Sequence, residues 1–384
     1  MVMRCLIIAE TGTRRIGFQI FCALFALFAL PGISEARSEI VLKDAVGREV
    51  RLAKPATRIV TNESLTLLSL ALLDPDPVSK IAGWAAPRRF DRGIYETLRR
   101  KFPAIDKIPV VGGVMSVDTS AESILSANPD LFVVSIWQTG WEPTAELLQN
   151  AGVPVIFLDV ADSNSGSPLD ATNKGIELLG KAIGREARAK EVTAFINERY
   201  RFVTERLAKQ SSRPNVLIDA HAGSICCATP GSGNRMTQLI EMAGGHSIGS
   251  GVAGYDGKLN IESVLQADPD VYIGTGGPHL AAQSGLVVGG GIDRAAAQAS
   301  LRQVTRRNHL DQLTAISNGN GFAISHQLSI SALSVLMLEC FAKWTHPQLF
   351  TDLDPSKTLA QFNQRFMAVP LEGTFWIGLK EAGN

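Results

Sequence analysis

The chain carries the same pattern twice, in residues 120–134 and 260–274, and the two copies align without a gap. Each copy begins with a polar residue and a glutamate that would lie in the first turn of a helix, Glu122 or Glu262. A short apolar helix follows, a Pro-Asp turn ends it, and a β-rich apolar strand comes next. Two such units so far apart in the sequence predict two similar lobes.

Strand-like runs alternate with helix-like runs on both sides of the repeat. The clearest of these runs are residues 58–60, 65–73, 81–84, 215–219 and 236–243. Such alternation is typical of parallel sheets with crossover helices. We therefore predict an N-terminal α/β lobe over residues 37–168 and a C-terminal α/β lobe over residues 212–350.

The segment between the lobes, residues 169–211, has apolar residues at helical spacing and contains no proline. It predicts a helix that bends near Gly184 and then a long second helix. A long helix is a stiff connector, whereas a Gly/Ser-rich tether would let the lobes swing freely. The fold class expected is α/β, with two similar lobes, each a mainly parallel sheet flanked by helices, joined by one long helix.

The N-terminal 36 residues have the layout of a secretory signal peptide. Arginines precede an apolar run over residues 16–30, and Ser34-Glu35-Ala36 fits a small-x-small cleavage pattern. The alternative is an uncleaved membrane anchor, but the run is shorter than the roughly 20 residues that a spanning helix needs. We expect export, with the mature chain beginning near Arg37.

Charge and cysteine content narrow the class of protein. Lys+Arg and Asp+Glu both total 37, so a net charge of zero gives no reason to expect a nucleic acid or an anionic membrane as partner. Beyond the predicted leader, the cysteines are Cys226, Cys227 and Cys340. A bridge between neighbours is strained, so the sequence allows one long-range disulfide to Cys340 in an oxidising compartment. No cysteine spacing is typical of a zinc site.

Large amphipathic side chains follow several predicted strands, where parallel sheets bind their ligands. The candidate ligand-binding residues are Trp84, Arg88, Arg89, Trp137, Trp141, His221, Tyr255 and His326. Tryptophan and tyrosine suit a bulky planar ligand, and arginine suits an anionic group. The alternatives are tryptophans packed inside their own lobe, a solvated basic corner, and histidines that only make local hydrogen bonds.

The repeat units, Glu-Ser-Ile-Leu…Asn-Pro-Asp-Leu and Glu-Ser-Val-Leu…Asp-Pro-Asp-Val, resemble those of the class III periplasmic substrate-binding proteins of ABC importers. Residues 58–60, 152–155, 243–245 and 275–278 are similar too, so the likeness covers residues 40–350. The resemblance implies a shallow ligand cleft between two lobes joined by one long helix. Family members carry iron chelates, haem or cobalamin in the periplasm.

The resemblance also gives the paired glutamates a role. Glu122 and Glu262 match the positions that dock onto arginines of an ABC permease in the inner membrane. The alternative is purely structural, because a carboxylate in the first turn of a helix gains about 0.3–1 kcal/mol from the helix dipole. We expect a monomer that takes no cofactor. The extension over residues 351–384 departs from the family pattern, and we expect it to pack on a lobe.

Two functions are compatible with this sequence. The first is capture of a ferric siderophore or related chelate, with haem and then cobalamin as alternative ligands. The second is a periplasmic enzyme on the same scaffold, for which Glu63, His221 and His326 are the candidate catalytic residues. No spacing brings those three together and no metal motif supports them, so we favour capture.

Overall fold

The computed structural model describes residues 39–113, 115–135, 140–160 and 166–380. The predicted signal peptide, residues 1–36, lies outside the described residues. The described chain opens with an antiparallel hairpin of β1 (Ile40–Lys43) and β2 (Glu49–Leu52). This hairpin agrees with the alternation of apolar and polar residues in that part of the sequence.

The N-terminal lobe is built on a five-stranded parallel sheet. Its strands are β3 (Ile59–Thr61), β4 (Ile81–Ala85), β5 (Val110–Gly112), β6 (Leu131–Val134) and β7 (Val155–Phe157). Its helices are α1 (Thr66–Leu73), α2 (Arg92–Lys101), α3 (Ala121–Ser126) and α4 (Glu142–Asn150). The strand order is β5-β4-β3-β6-β7, with every neighbouring pair parallel. Strand β6 is buried along its whole length, as expected for a parallel sheet covered on both faces.

Two helices connect the lobes, as the sequence predicts. Helix α5 (Pro168–Ala182) ends just before Gly184, whose φ of 70° turns the chain into α6 (Glu186–Leu207). The 22 residues of α6 span about 33 Å. Ion pairs fix α6 to both sides, because Arg185 lies 3.0 Å from Asp74 of the first lobe and Arg199 lies 2.5 Å from Glu339 of the second.

The C-terminal lobe repeats this plan with a second five-stranded sheet. Its strands and ribbons are β8 (Asn215–Asp219), β9 (Ala228–Pro230), β10 (His246–Ser247), β11 (Asp256–Lys258), β12 (Val271–Gly276), β13 (Gly289–Gly290), β14 (Gly321–Ser325), β15 (Gly373–Thr374) and β16 (Trp376–Gly378). Its helices are α7 (Arg235–Met242), α8 (Ile261–Ala267), α9 (Arg294–Arg307), α10 (Thr314–Ser317), α11 (Ser334–Thr345) and α12 (Pro355–Arg365). The order is β10-β8-β12-β14-β16, parallel except for the β14–β16 pair.

One apolar core runs through both lobes. It extends from α1 through the connecting helices to α11 and α12, and Leu67, Ile196 and Phe341 are fully buried members of it. Each sheet has a second, separate cluster on its opposite face. Burying this much apolar surface across the connector makes independent movement of the lobes costly. No helix among the described residues is both long and apolar enough to cross a membrane.

The C-terminal extension contacts both lobes. Helix α12 packs on the connector, with the rings of Phe195 and Phe362 4.9 Å apart. The chain then reaches the first lobe, where the Ala368 N–H donates to the Ala71 carbonyl at 2.8 Å. It returns to the second lobe and adds β16 as an antiparallel edge strand. The extension therefore packs on both lobes rather than on a single one.

The cysteines form the bridge between neighbours that the sequence analysis considers strained. Cys226 and Cys227 form a disulfide with each other, and Cys340 is a free, buried thiol. The long-range bridge to Cys340 that the sequence allows does not form in this structure. Cys340 packs in the core on one face of the second sheet, whereas Cys227 packs in the cluster on the other face. The sheet separates the two sulfurs.

Candidate functional site

The carboxyl ends of the parallel strands in both sheets border one cleft between the lobes. A cavity of about 380 Å³ opens there, and a smaller one of about 130 Å³ adjoins it. Both cavities are lined from both lobes and share the residues Leu65, Asn234, Tyr255 and Ile330. Open α/β sheets bind ligands at this edge, so the cleft is the candidate site.

The first lobe contributes an ion pair to the cleft. Glu63 follows β3, and Arg89 ends a 3-10 turn, Pro87–Arg89, that follows β4. Nη1 of Arg89 lies 3.2 Å from Oε2 of Glu63, whose side chain is only 6% exposed. Arg88, on the same turn, lines the cavity from an exposed position at its rim. The predicted arginines therefore reach the cleft, but Arg89 is already neutralised by a carboxylate.

The second lobe contributes three histidines, each just beyond a different strand. His221 follows β8, His279 lies on the turn after β12, and His326 follows β14. The rings of His221 and His326 overlap with centroids 3.8 Å apart, and Nε2 of His279 lies 3.4 Å from Nδ1 of His221. The Thr275 hydroxyl lies 2.9 Å from Nδ1 of His326 and holds that ring in place. Three separate strands thus deliver one imidazole cluster.

The surroundings of this cluster oppose protonation. Burial is the largest cause that lowers the pKa of His326 well below its usual range, and the neighbouring His221, His279 and Arg89 add to it. The pKa values of His221 and His279 are lowered in the same direction by desolvation and by Arg89. Their side chains are more exposed to the cleft, so solvent screens part of the effect. Neutral imidazoles can donate or accept hydrogen bonds and can bind a metal.

A second ion pair crosses the cleft. Arg235, at the start of α7, places Nη2 2.6 Å from a carboxylate oxygen of Asp159, which follows β7. Burial raises the pKa of Asp159, and Arg235 opposes that shift. Tyr255 lines the cavity beside this pair. The pair joins the two lobes directly, and both of its residues line the smaller cavity.

A set of hydrogen bonds also joins the two lobes near Arg89 and Gln327, two residues that line the larger cavity. Asp91 caps α2 and accepts the Gly290 N–H of the second lobe at 3.0 Å. The Asp91 N–H donates to Oε1 of Gln327 at 3.0 Å, and the Gln327 amide donates to the Arg89 carbonyl. A Cβ atom at Gly93 would lie 1.9 Å from the Gly290 carbonyl oxygen, so the backbones meet too closely there for a side chain.

Two of the predicted tryptophans do not line the cleft. Trp84 is 2% exposed and packs against Phe90 and Tyr95 within its own lobe. Trp141 is 1% exposed and packs on Phe132. Trp84 belongs to the apolar core that runs through both lobes, and Trp141 belongs to the separate cluster of the first sheet, which corrects the expectation for these two residues. Trp137 lies outside the described residues.

The paired glutamates occupy matching places in the two lobes. Glu122 is exposed in the first turn of α3, which Ser120 caps by accepting the Ser123 N–H at 3.1 Å. Glu262 is exposed in the first turn of α8, which Asn260 caps in the same way at 2.7 Å. Their proposed role in docking stays a prediction.

A further group of possible metal ligands includes Asp219, the last residue of β8. The carboxylate of Asp219 and the sulfurs of Cys226 and Cys227 lie within 4.8 Å of one another. The Tyr272 hydroxyl donates to Asp219 at 3.1 Å, and burial raises the pKa of Asp219 to about 7. The disulfide occupies the sulfurs, so this group is not a ligand set in the state described.

The cleft contains charged and imidazole side chains that the sequence analysis does not select, among them His279, Arg235 and Asp159. Arg235 and Asp159 were missed because their pairing joins distant parts of the chain, and nothing local in the sequence indicates it. The position of His279 directly after a buried strand was the one available signal.

The comparisons with known proteins agree with this architecture. A family model described as periplasmic binding protein matches residues 59–328. A search of curated proteins finds no match. Among solved structures, a TroA-like periplasmic binding protein, FepB, from Veillonella parvula has a TM-score of 0.80 at 25% identity, covering 89% of this chain and 100% of that one.

Two further solved structures share the fold at lower similarity. A protein of the ABC-type Fe3+-hydroxamate transport system from Saccharomonospora viridis gives a TM-score of 0.53 at 20% identity, covering 80% of this chain and 98% of that one. A periplasmic heme binding protein from Pseudomonas aeruginosa gives 0.53 at 19% identity, covering 77% and 94%. The chain belongs to the periplasmic binding protein family, whose members are class III periplasmic solute-binding proteins that work with ABC permeases.

Proposed function

We propose that this protein captures a ferric siderophore, or a closely related metal chelate, and delivers it to an ABC permease. The observation that carries the proposal is the cluster of three imidazoles facing Arg88 and Arg89 across one cavity. A neutral imidazole can fill an open position on a chelated metal, and a guanidinium can bind the oxygen atoms of the chelator. The likeness to the Fe3+-hydroxamate transport protein supports this class of ligand.

Haem is the second candidate, because the cluster supplies imidazoles at the cleft surface. Histidine is a common axial ligand of haem iron. The likeness to the heme binding protein of Pseudomonas aeruginosa supports this possibility at the level of the fold. The rings of His221 and His326 overlap rather than pointing at one centre, so a haem would have to separate them, and this makes haem the weaker proposal.

Delivery would use the paired glutamates. Glu122 and Glu262 stand in equivalent helix turns, one on each lobe, and both carboxylates are exposed. An importer that must recognise both lobes can do so with one charge contact to each. Charged contacts of this kind steer association and set orientation.

Isothermal titration calorimetry of the purified protein tests the proposed ligand. The panel contains a ferric trihydroxamate, a ferric triscatecholate and haem, and mass spectrometry identifies anything that co-purifies. We expect a ferric chelate to bind, and His221→Ala to weaken that binding at least tenfold, because this ring contacts both other imidazoles. His246→Ala, at an exposed position on β10, is the matched control and should bind as the wild type does. The proposal fails when no ferric chelate binds.

A further inference from the structure

We propose that the cleft selects metal chelates of little net charge and discriminates against multiply anionic ones. The inference rests on the proposed function, since it concerns the ligand of the same site. It goes beyond that function because the charge of the chelate separates neutral hydroxamate complexes from anionic catecholate complexes. The observation behind it is the balance of charge in the lining of the cavities.

The charged residues that line the two cavities are equal in number. In the described part of the chain, they are the cations Arg88, Arg89 and Arg235 and the acids Glu63, Asp159 and Asp256. Imidazoles are largely uncharged at pH 7.5 even at their ordinary pKa, so the three histidines leave this balance intact. The segments 114, 136–139 and 161–165 contain one charged residue, Asp162, an acid, and so contribute no further cation.

The two arginines inside the cleft already have carboxylate partners. Arg89 lies 3.2 Å from Glu63, and Arg235 lies 2.6 Å from Asp159. The acids in these pairs are held in place, with side chains 6% and 29% exposed. An anionic chelate would approach those arginines only by lying beside the same carboxylates or by displacing them, and both are unfavourable.

The rest of the lining suits a polar but uncharged ligand shell. The imidazole cluster offers hydrogen-bond donors and acceptors, and Asn234 lines both cavities. Leu65 and Ile330 add apolar area on opposite sides. A ferric trihydroxamate, whose three singly charged hydroxamates balance the charge of the ferric ion, matches this surface. A ferric triscatecholate keeps three negative charges and does not.

Calorimetry at pH 7.5 with two probes tests the inference on the wild-type protein. The probes are ferrichrome, a neutral ferric trihydroxamate, and ferric enterobactin, a ferric triscatecholate. We expect ferrichrome to bind at least tenfold more tightly, with an affinity that changes less than twofold between 50 and 300 mM salt, since a neutral ligand is little screened. Equal or tighter binding of ferric enterobactin overturns the inference while leaving the proposed function intact. Absence of binding by both probes and by every other ferric chelate overturns the proposed function and the inference together.

Charge variants sharpen the test. Glu63→Gln and Asp159→Asn each remove one negative charge beside an arginine, and each should narrow the ferrichrome-to-enterobactin affinity ratio at least threefold. Glu205→Gln removes the same charge from an exposed position on α6, with the side chain 72% exposed, and should leave the ratio unchanged. An unchanged ratio in both cleft variants contradicts the inference. If a variant does not fold, the ferrichrome-to-enterobactin affinity ratio of the wild-type protein alone tests the inference.

Discussion

The two lobes share a frame but differ in the chemistry that they bring to the cleft. The strand order β4-β3-β6-β7 of the first sheet corresponds to β10-β8-β12-β14 of the second. At the ends of these strands, the first lobe places ion-paired acids and arginines, while the second places imidazoles. All six histidines of the chain lie after residue 220. The two lobes therefore share the arrangement of strands. The loops at the strand ends differ, so that each lobe can contact a different part of a ligand.

The repeated Pro-Asp turn is part of that shared frame. Asp130 accepts hydrogen bonds from the Thr57 N–H, the Thr57 hydroxyl and the Arg58 N–H at 2.8–2.9 Å, which ties the start of β6 to the start of β3. Asp270 accepts the Asn215 N–H at 2.8 Å and ties β12 to β8. The same aspartate thus fastens the same pair of strands in each lobe, with more bonds in the first.

The largest effect, on uptake of the ligand, is expected from reversing the charge at both predicted docking positions. Glu122→Arg combined with Glu262→Arg should reduce uptake of the ligand at least 100-fold, because both contacts to the permease would become repulsive. Ligand affinity should stay within twofold, since neither residue lines the cleft. Uptake is measured with radiolabelled chelate in cells that express the permease.

The control for this double variant changes the same charge elsewhere. Glu186→Arg combined with Glu205→Arg alters one first-turn position and one exposed position on α6, and should leave uptake near the wild-type level. Survival of uptake in the docking variant would show that the glutamates serve only their helices.

A smaller effect, on the free energy of unfolding, is expected from removing each of the two aspartates of the repeat. Asp130→Ala should lower the free energy of unfolding by about 2 kcal/mol and Asp270→Ala by about 1 kcal/mol, because the first carboxylate accepts more hydrogen bonds. Urea denaturation followed by circular dichroism measures both. Asp311→Ala, at an exposed position, should change stability by less than about 0.5 kcal/mol. Equal losses in the two lobes would remove the asymmetry inferred from the bond pattern.

The smallest effect is expected from the imidazole cluster of the second lobe. The pKa of His326 is lowered in the folded state, so below about pH 6.5 the unfolded chain takes up a proton there that the folded chain does not. Stability contributed by neutral His326 is therefore lost as the pH falls from 7 to 5. The melting temperature of the wild type should therefore fall between pH 7 and pH 5. In His326→Gln this fall should be smaller by about 2 °C or more.

Differential scanning fluorimetry at pH 7 and pH 5 measures this change. His246→Gln is the control, because that ring is half exposed and lies on the edge strand β10. An identical pH dependence in wild type and His326→Gln would show that the cluster is open enough to protonate freely.

The sequence predicted the frame better than the site, for physical reasons. The repeat, the strand runs and the bend near Gly184 are local patterns, and each corresponds to an observed element. His221 and His326 lie in the cleft, as predicted, because a residue that directly follows a parallel strand lies at the carboxyl edge of its sheet. Trp84 did not, because a residue within a strand can face either side, and the sequence does not say which face the helices cover.

Contacts between distant segments could not be predicted in this way. The pairs Arg235–Asp159 and Asp91–Gln327 depend on how the lobes meet, which is set by packing on α6 and not by local spacing. Strand β16 was also missed, because a three-residue edge strand pairs only after the rest of its sheet exists.

The position of β16 has a consequence for how the chain matures. The first sheet has all its strands once Phe157 has been made, whereas the second lacks its edge strand until Trp376–Gly378 has also been made. A chain cut between β14 and β16, for example by a protease, would keep the complete first sheet but leave the edge of β14 uncovered. An uncovered strand edge invites aggregation, so Trp376–Gly378 protect the second sheet from pairing with other chains.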